Sequence, residues 1–439
     1  MPRPFFVENP YRPGAGHVPP LLAGRSREQD RFKRTLRERV PNDNFLVTGL
    51  RGFGKTVLLD SMKTMAQAHG FLWVGNDLSE SSSLSEERLA LRILTDLAQA
   101  IADKLKNAAA AAEPADPIRS GLPQAEAASD PQAAFAALKG LFETTPGLPS
   151  DKLIAVLARA SALALRAGAA GIILAYDEAQ CLTDHAEHNE FPMSMLVESI
   201  GTIQKRTSLA PVLLVLCGLP QVQDALTETR TYTERMFQVL MLDRLTRDET
   251  WNAIAIPLDD LMPPLHASKD LLSKVVDLTG GYPYLIQFFG KELVEQLLEN
   301  GGTLPASAFP SQDTLDRLDA GLFGARWNKT TDKQRDLLGL LAHRGPKART
   351  EFSAADVVGL ADDAAMTNAQ ATQTLQALCD RGLIYRTRRG QFAFTVPMSE
   401  EMIRRRLAAT EEVADGWSQV ATAHSVQAQS KAKRWRWFS

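Results

Sequence analysis

One eight-residue segment constrains the fold of this chain more than any other. Residues 49–56 read Gly-Leu-Arg-Gly-Phe-Gly-Lys-Thr, which fits the pattern G-x-x-x-x-G-K-[S/T]. An apolar run, Phe45–Thr48, precedes the segment, and a helical pattern with Leu58, Met62 and Met65 on one face follows it. A glycine-rich loop between a strand and a helix is the context of a phosphate-binding loop. The segment therefore predicts an α/β fold that binds a nucleotide.

Each residue type in this loop has a chemical reason. Glycines let the backbone N–H groups turn toward the phosphates, helped by the helix N-terminus. Lys55 is expected to reach the β- and γ-phosphates, and the Thr56 hydroxyl to hold Mg²⁺. The sequence thus predicts ATP and Mg²⁺ as ligands, with the nucleotide held by Gly49, Gly52, Phe53, Gly54, Lys55, Thr56 and Val57.

A second segment supplies two adjacent carboxylates. Four apolar residues lead into Asp177 and Glu178 at the end of a predicted buried strand, the edge where ligands of such sheets bind. We expect Asp177 to hold Mg²⁺ and Glu178 to act as the general base for an attacking water. The alternative is an acidic strand end that caps the next helix. Beside a phosphate-binding loop, the pair favours ATP hydrolysis over phosphoryl transfer to a bound acceptor.

Five short apolar runs predict the strands of one sheet: Phe45–Thr48, Phe71–Val74, Ile172–Tyr176, Val212–Cys217 and Phe237–Leu242. Most are continuously apolar, which is typical of parallel strands covered by helices on both faces. We therefore predict a three-layer α/β core over residues 1–246 with a five-stranded parallel sheet. Residues 107–147, rich in Ala and Pro, are expected to be a flexible insertion with one short helix near Phe135–Leu141.

The patterns after residue 246 predict a different architecture. The sequence Thr246-x-x-Glu249 is a capping box, and an all-helical lid is expected over residues 247–322. Residues 323–408 give the order helix, helix, helix, hairpin, which is typical of a winged helix-turn-helix. The expected positions are 333–343, 353–360 and 367–381 for the helices, and Leu383–Arg386 with Gln391–Val396 for the hairpin. Residues 409–439 follow as a basic and aromatic tail.

Two more residues are candidates for the chemistry, each with an alternative. Cys217 ends the fourth predicted strand, where it could help to position the attacking water; the alternative is a plain core cysteine. Arg235 immediately precedes the fifth strand and could act as an arginine finger toward the γ-phosphate of a neighbouring copy. The alternative is an ion pair within the chain, to Glu234 or Asp243.

Several of these elements together resemble a known family. The chain is similar, over about residues 8–405, to the archaeal-type AAA+/STAND P-loop ATPases, which are related to the ATPase modules of origin-recognition proteins. The resemblance rests on the phosphate-binding loop, the Asp177-Glu178 pair, Gly24-Arg25 after Pro19-Pro20, Glu234-Arg235-x-Phe237, Gly281-Tyr282-Pro283 and the trailing winged helix.

The resemblance implies further site residues and a slow reaction. Residues 18–25, with Gly24 and Arg25, would flank the adenine, and Pro283 in the helical lid would close over the nucleotide. The chain departs from the family pattern at two places. On the fourth strand, the residue at the usual polar sensor position is at best Cys217. In the lid, the helix opens with Tyr284-Leu285-Ile286, without the arginine that such lids commonly supply. Both departures favour a slow, switch-like ATPase.

Composition and charge exclude several classes of protein and suggest a polyanionic partner. Charged residues make up 23% and apolar residues 44%, ordinary values for a soluble globular chain. The three cysteines lie too far apart for a zinc site or a disulfide framework. The chain has no apolar run long enough to span a membrane, and we expect it to be cytoplasmic. Residues 381–439 have a charge balance of +6 against −9 for the rest, and this basic end could meet a polyanion; the alternative is an ordinary solvated surface.

The winged helix and the tail are the candidate contacts to that partner. The third helix offers amide side chains that could read base edges, and the wing offers cations for phosphates, namely Asn368, Gln370, Gln373, Gln376, Arg386, Arg388 and Arg389. The alternative is a protein-docking or intramolecular packing role. In the tail, Lys431–Ser439 interleaves cations with Trp435, Trp437 and Phe438, which could stack on bases, enter a membrane interface or dock in a partner's groove.

The combined prediction is a Mg·ATP-binding switch that acts on DNA or a protein partner and that could work as a homo-oligomer. Two rivals stay open at this point. One is a DNA-binding regulator in which ATP is a structural ligand. The other is a signalling or defence scaffold that assembles with ATP and without DNA.

Overall fold

The computed structural model describes residues 8–14, 16–110, 130–206, 210–229, 233–262, 264–344, 351–388 and 390–408. Of these, the residues up to Met262 together with Pro283–Gln287 form one compact unit, and the remainder form a second. This division is coarser than the expected organisation into core, lid and winged helix, whose boundaries stay predictions. The tail from residue 409 lies outside the described residues.

The first unit is built on a five-stranded sheet. Its strands are β1 (Asn44–Thr48), β2 (Phe71–Val74), β3 (Gly171–Tyr176), β4 (Val212–Gly218) and β5 (Phe237–Met241). They pair in the order β2-β3-β4-β1-β5, and every pair is parallel. The parallel sheet predicted from the apolar runs is confirmed, with each strand end within one residue of its expected position. Strand β1, which leads into the phosphate-binding loop, lies between β4 and β5.

Helices cover the sheet, because its nearly continuous apolar strands must be buried on both faces. In this unit they are α1 (Ser26–Leu36), α2 (Lys55–Ala68), α3 (Glu80–Ser83), α4 (Glu86–Ala110), α5 (Pro131–Thr144), α6 (Pro149–Arg166), α7 (Pro192–Ile203), α8 (Gln221–Thr229), α9 (Thr233–Met236) and α10 (Arg247–Asp259). The predicted capping box starts α10: the Glu249 N–H donates to Thr246 Oγ1, and the Thr246 N–H donates to Glu249 Oε2.

The short helix expected near Phe135–Leu141 within the insertion 107–147 is present and longer than expected, since residues Pro131–Thr144 form helix α5. Asp130 caps this helix by accepting from the Ala133 N–H, and Pro131 occupies its first turn. Ala134 and Leu138 are buried in the same core cluster as the apolar face of α4. Burial of this face stabilises the helix despite a composition that suggests a linker. Residues 111–129 lie outside the described residues.

The second unit is mainly helical with one small sheet. Helix α12 (Pro283–Glu299) begins among the residues of the first unit and continues into the second. The other helices are α11 (Lys269–Thr279), α13 (Gln312–Leu318), α14 (Ala325–Trp327), α15 (Asp332–Arg344), α16 (Ala354–Gly359) and α17 (Asn368–Asp380). The strands are β6 (Glu351–Ser353), β7 (Ile384–Arg388) and β8 (Gln391–Phe394), which form an antiparallel sheet in the order β6-β8-β7.

The three helices and the hairpin expected in residues 323–408 are present, and β6 is an addition. This strand is only three residues long, so no alternation of apolar and polar residues marks it in the sequence. Its formation depends on the hairpin: Phe352 of β6 stacks on Phe392 of β8, with ring centroids 6.3 Å apart. Across the described ranges, no helix is both long enough and apolar enough to cross a membrane.

Candidate nucleotide-binding site

The phosphate-binding loop leaves the carboxyl end of β1 in a conformation that only glycines adopt without strain. Gly52 and Gly54 have φ angles of 82° and 81°, in the left-handed region. At Gly49, a Cβ atom would lie 2.8 Å from the carbonyl oxygen of Leu242, so a side chain there would collide with backbone. Gly54 is also the N-cap of α2, which directs the amino terminus of that helix at the loop.

The two predicted halves of the site meet directly. Thr56 Oγ1 donates a hydrogen bond to Asp177 Oδ2 over 2.7 Å, although the two residues are 121 positions apart. Lys55 Nζ donates to the carbonyl oxygen of Leu50 within the same loop, at 3.0 Å. Burial lowers the pKa of the Lys55 ammonium, and the negative charge of Asp177 and other neighbouring groups opposes that shift. A half-buried lysine beside the glycine loop is well placed to receive a phosphate.

Asp177 and Glu178 differ in their surroundings. Asp177 is buried, and its Oδ1 accepts from the Glu178 N–H at 2.7 Å. Glu178 is exposed and has a φ angle of 54°, which is rare for a residue with a side chain. The backbone therefore turns sharply at Glu178, so that one carboxylate stays under the loop and the other faces outward.

Gln180 holds the outward carboxylate, a contact that the sequence analysis missed. Its Nε2 donates to Glu178 Oε2, and its Oε1 accepts from the N–H of Leu219 at 3.0 Å. The side chain thus joins Glu178 to the backbone just after β4. A close approach at Gly218 makes room for it, since a Cβ there would lie 2.8 Å from Gln180 Oε1. The only signal in the sequence is an amide two residues beyond the carboxylate pair.

Cys217 belongs both to the core and to the site. It is fully buried and pairs in register with Val47 of β1. Burial, reinforced by the negative charge of the nearby Asp177, raises the pKa of its thiol. The thiol therefore stays protonated. Neither alternative from the sequence excludes the other, because the strand end is both packed and adjacent to the carboxylate.

Two further carboxylates, Asp60 and Asp77, lie near Asp177 and were also missed by the sequence analysis. Asp77 forms an isolated parallel bridge with Asp177, and the Leu78 N–H donates to the Asp177 carbonyl at 2.9 Å. Burial and the charge of Asp177 raise the pKa of Asp77. Asp60 lies one turn of α2 beyond Thr56, and its pKa is raised first by burial.

The donor set fits Mg²⁺ better than a metal held by protein groups alone. The described residues contain no group of three or more His, Cys, Asp or Glu side chains arranged as a metal site. Mg²⁺ typically takes one or two protein oxygens and completes its octahedron with phosphates and water. The Thr56 hydroxyl and the Asp177 carboxylate, already 2.7 Å apart, are such a pair of oxygens.

Arg25 supports the loop through backbone contacts. This arginine is 5% exposed, and its Nη2 donates to the carbonyl oxygens of Phe53, at 3.1 Å, and Asp243, at 2.7 Å. Burial lowers the pKa of the guanidinium, partly offset by nearby carboxylates. Gly24 has a φ of 68°, and a Cβ there would lie 2.6 Å from Leu245 Cδ2. The Gly24-Arg25 pair thus connects the phosphate-binding loop to the end of β5; contact with adenine stays a prediction.

The remaining candidates, Arg235, Val57 and Pro283, are placed by the elements that carry them. Arg235 is exposed in α9, just before β5, and therefore at the amino edge of the sheet, whereas Lys55 follows its carboxyl edge. Four register steps of about 3.3 Å separate the two edges along β1. Val57 is half-buried in the first turn of α2. Pro283 starts α12 and groups with the first unit. The side chain of Glu234 lies outside the described residues.

Known structures share this architecture. The ORC2 protein of Aeropyrum pernix, solved as ADPNP-ADP complexes, matches with a TM-score of 0.52 at 14% identity, over 90% of this chain and 98% of that one. A Walker-type ATPase of Pyrococcus abyssi matches with a TM-score of 0.51 at 15% identity, over 86% and 95%. At these identities the likeness shows the fold alone: this chain shares the fold of the ORC2 protein and of the Walker-type ATPase.

The sequence comparisons are more limited. Residues 320–403 match a family model described as a domain of unknown function, DUF8462. No curated protein matches the chain significantly. The matched segment covers the region in which the winged helix was predicted, and it assigns no activity to that region.

Proposed function

We propose that this protein binds Mg·ATP and hydrolyses it slowly, as a nucleotide-governed switch. The observation that carries this proposal is the 2.7 Å hydrogen bond between Thr56 Oγ1 and Asp177 Oδ2. This contact brings the hydroxyl of the phosphate-binding loop and the buried carboxylate to one point, beside the amino terminus of α2. A hydroxyl and a carboxylate at that point are the oxygen pair that Mg²⁺ takes in nucleotide sites of this type.

The chain's own residues divide the work of hydrolysis. The loop N–H groups and Lys55 bind the phosphates, and Lys55 exchanges its bond with the Leu50 carbonyl for one with phosphate. Thr56 and Asp177 would hold the metal ion, which would neutralise phosphate charge. Glu178 accepts a proton from the attacking water. Gln180 orients Glu178 from its anchor on the Leu219 N–H, so that it is a positioning residue.

One feature supports a slow reaction. At the end of β4 the only polar side chain is the Cys217 thiol, which is buried and a weak hydrogen-bond donor. This strand end therefore offers little to position the attacking water.

The output is proposed to pass through the second unit. We interpret α15, α16, α17 and the β6-β8-β7 sheet as a winged helix-turn-helix that acts on DNA or on a protein partner. The amides of the third helix are exposed, but Gln370 caps its own helix at the Thr367 N–H, 3.0 Å away, and Gln376 donates to Asp380. Arg386 is exposed on the wing strand and available to a phosphate. Arg389 lies outside the described residues.

A measurement of molecular size tests the switch. The full chain is measured by light scattering with ADP, with ATP, and with ATP and Mg²⁺, each with and without a DNA duplex, and ATP turnover is followed in the same samples. The proposal expects a nucleotide-dependent change in assembly or in DNA binding, with slow turnover. Assembly with ATP and without DNA favours the scaffold, and DNA binding that is indifferent to nucleotide favours the regulator. No ATP binding overturns all three.

A further inference from the structure

The five-stranded sheet ends at strand β5, and a groove runs along this edge. Among the described residues, β5 pairs with β1 and with no other strand. The groove has a volume of about 490 Å³, and helix α1 forms its other wall. All of its lining residues belong to α1 or β5, and both elements lie in the first unit. In the described part of the chain, no third element lines this groove.

The strand side of the groove is a backbone edge. Val239, Leu240 and Met241 all line it, although successive side chains of a strand point to opposite faces of the sheet. Just after β5, the Leu242 N–H donates to the Thr48 carbonyl of β1 at 2.7 Å. Because the direction of the backbone groups alternates along a strand, the N–H and carbonyl groups of Val239 and Met241 point away from β1. They face the open edge, where a further strand could pair with them.

The helix side of the groove carries an arginine row, formed by Arg27, Arg31 and Arg34. These residues lie on one face of α1, about one turn apart, and all three are exposed. Arg27 and Arg31 make no hydrogen bond or ion pair with any described residue. Arg34 donates from Nε to the Asp30 carbonyl of its own helix, at 3.4 Å. Like charges at this spacing repel each other, so an anion beside the arginine row would stabilise it.

The two acids that line the groove do not neutralise the arginine row. Glu28 is half-buried, and its charge acts on the buried Arg25. The Asp30 carboxylate lies 3.9 Å from the ammonium group of Lys33. Neither Arg25 nor Lys33 lines the groove, so each acid has a cationic neighbour outside it. The arginine row therefore remains available to an acidic ligand.

The two faces of the sheet differ beside this edge. Phe32 of α1 packs edge-to-face on Phe45 of β1, with ring centroids 5.3 Å apart, so α1 covers the face of Phe45. Phe45 is in register with Gln238, so the side chains of Val239 and Met241 lie on the opposite face. Met241 is 60% exposed there, which is high for a large apolar residue. A strand added to β5 would alternate between arginines on one face and apolar side chains on the other.

We propose that the open edge of β5 binds an extended, acidic segment of a partner protein, which adds a sixth strand to the sheet. The backbone of this segment pairs with the outward N–H and carbonyl groups of Val239 and Met241. Its acidic side chains, at every second position, face the arginine row, and its apolar side chains lie beside Met241. The proposal does not rest on ATP binding.

Two other occupants fit the edge less well. If two copies of this chain paired through their β5 edges, the arginine row of one copy would approach that of the other, and like charges oppose this. A nucleic acid would meet the arginine row, but its phosphates only accept hydrogen bonds. It would therefore leave the outward carbonyl groups of Val239 and Met241 without donors. An acidic peptide strand satisfies both the charges and the backbone groups.

The test measures fluorescence anisotropy of a labelled peptide of alternating Glu and Val, slightly longer than β5, added to the full chain without nucleotide. Hydrogen exchange with mass spectrometry locates the contact. The proposal expects saturable binding and slower exchange in residues 237–241. Two control peptides, one with the same residues in two blocks and one fully N-methylated, should bind much more weakly, because they lack the alternation or the backbone donors. Equal binding of either control, no saturable binding, or protection only elsewhere overturns the proposal.

A pair of matched variants tests the arginine row. Arg27→Ala/Arg31→Ala should weaken binding of the alternating peptide about 2- to 30-fold, because two exposed ion pairs are lost. The control, Arg37→Ala/Arg39→Ala, removes two exposed arginines just after α1 that do not line the groove, and it should bind the peptide normally. Thermal melting verifies that both variants fold. An equal loss in both pairs, or a loss in neither, contradicts the proposal, and so does a groove pair that loses binding to a DNA duplex but not to the peptide.

Discussion

Thr56 Oγ1 lies 2.7 Å from Asp177 Oδ2, so the loop after the first strand and the end of the third are joined by a single hydrogen bond. The parallel sheet makes this contact possible, because the carboxyl ends of its strands meet at one edge. The bond also connects two functions in the proposed mechanism, phosphate binding by the loop and water activation at Glu178. Predictions that separate these functions test the site most directly.

Lys55→Ala should weaken ATP binding roughly 10- to 100-fold, because a charged hydrogen bond to phosphate is lost. Isothermal titration calorimetry of the full chain with ATP and Mg²⁺ measures the effect. Lys63→Ala is the matched control, since Lys63 is an exposed lysine on the same helix, α2. Equal ATP affinity in the Lys55 variant and the control would place the phosphates elsewhere.

Glu178→Gln should keep ATP affinity and slow turnover by a factor of about 100 to 10,000, the usual contribution of a general base. The amide has nearly the shape of the carboxylate but accepts no proton. Single-turnover hydrolysis and ATP binding are measured on the same sample. Gln180→Ala should also lower turnover while leaving affinity intact, because Gln180 orients Glu178. A Glu178 variant with normal turnover would remove this residue from the mechanism.

Arg25→Lys should lower both ATP affinity and the melting temperature. The guanidinium bonds two carbonyl oxygens, those of Phe53 and Asp243, and a lysine head group cannot reproduce this fork. Leaving a buried carbonyl without its donor costs about 1–3 kcal/mol. Calorimetric melting and ATP titration check the two effects, with Arg27→Lys as an exposed control on the same helix. A change in affinity without any change in melting would instead favour direct contact with the nucleotide.

Arg235→Ala should abolish most turnover only if the residue reaches a neighbouring copy. Its position at the amino edge of the sheet is opposite to that of Lys55 in the same chain, so a role in catalysis requires a second subunit. Arginine fingers contribute about 1,000-fold or more. Mixing Arg235→Ala with Glu178→Gln protein should then restore part of the activity, because intact halves meet at shared interfaces. Normal turnover by Arg235→Ala alone rules out the finger.

Replacing Arg386, Arg388 and Arg389 by Ala should weaken binding to a DNA duplex if the wing binds phosphates. The slope of log K against log salt should fall by about one for each phosphate that the variant no longer neutralises, because fewer counterions are released. A triple change of Arg27, Arg31 and Arg34 on α1 alters the net charge equally and should leave the slope unchanged. If the intact protein binds no DNA at ~50 mM salt, the second unit acts on a protein partner instead.

The sequence alone determined the elements whose signals are local. The phosphate-binding loop is contiguous, and the glycines in residues 49–56 match backbone angles that other residues adopt only with strain. The five strands are continuous apolar runs, and the Asp177-Glu178 pair directly follows one of them. A local signal was incomplete where composition and burial disagreed: the short helix expected near Phe135–Leu141 extends over Pro131–Thr144, because α4 offers it an apolar face.

Only the tertiary structure decided which distant residues meet. The bond between Thr56 and Asp177, the hydrogen bond from the Leu219 N–H to Gln180 and the two carbonyls bound by Arg25 each depend on how the strands and helices pack. Sequence patterns indicate on which face of its own helix or strand a residue lies, because they arise from helical and strand periodicity. They do not indicate contacts between residues more than a hundred positions apart, because the packing of the elements creates those contacts.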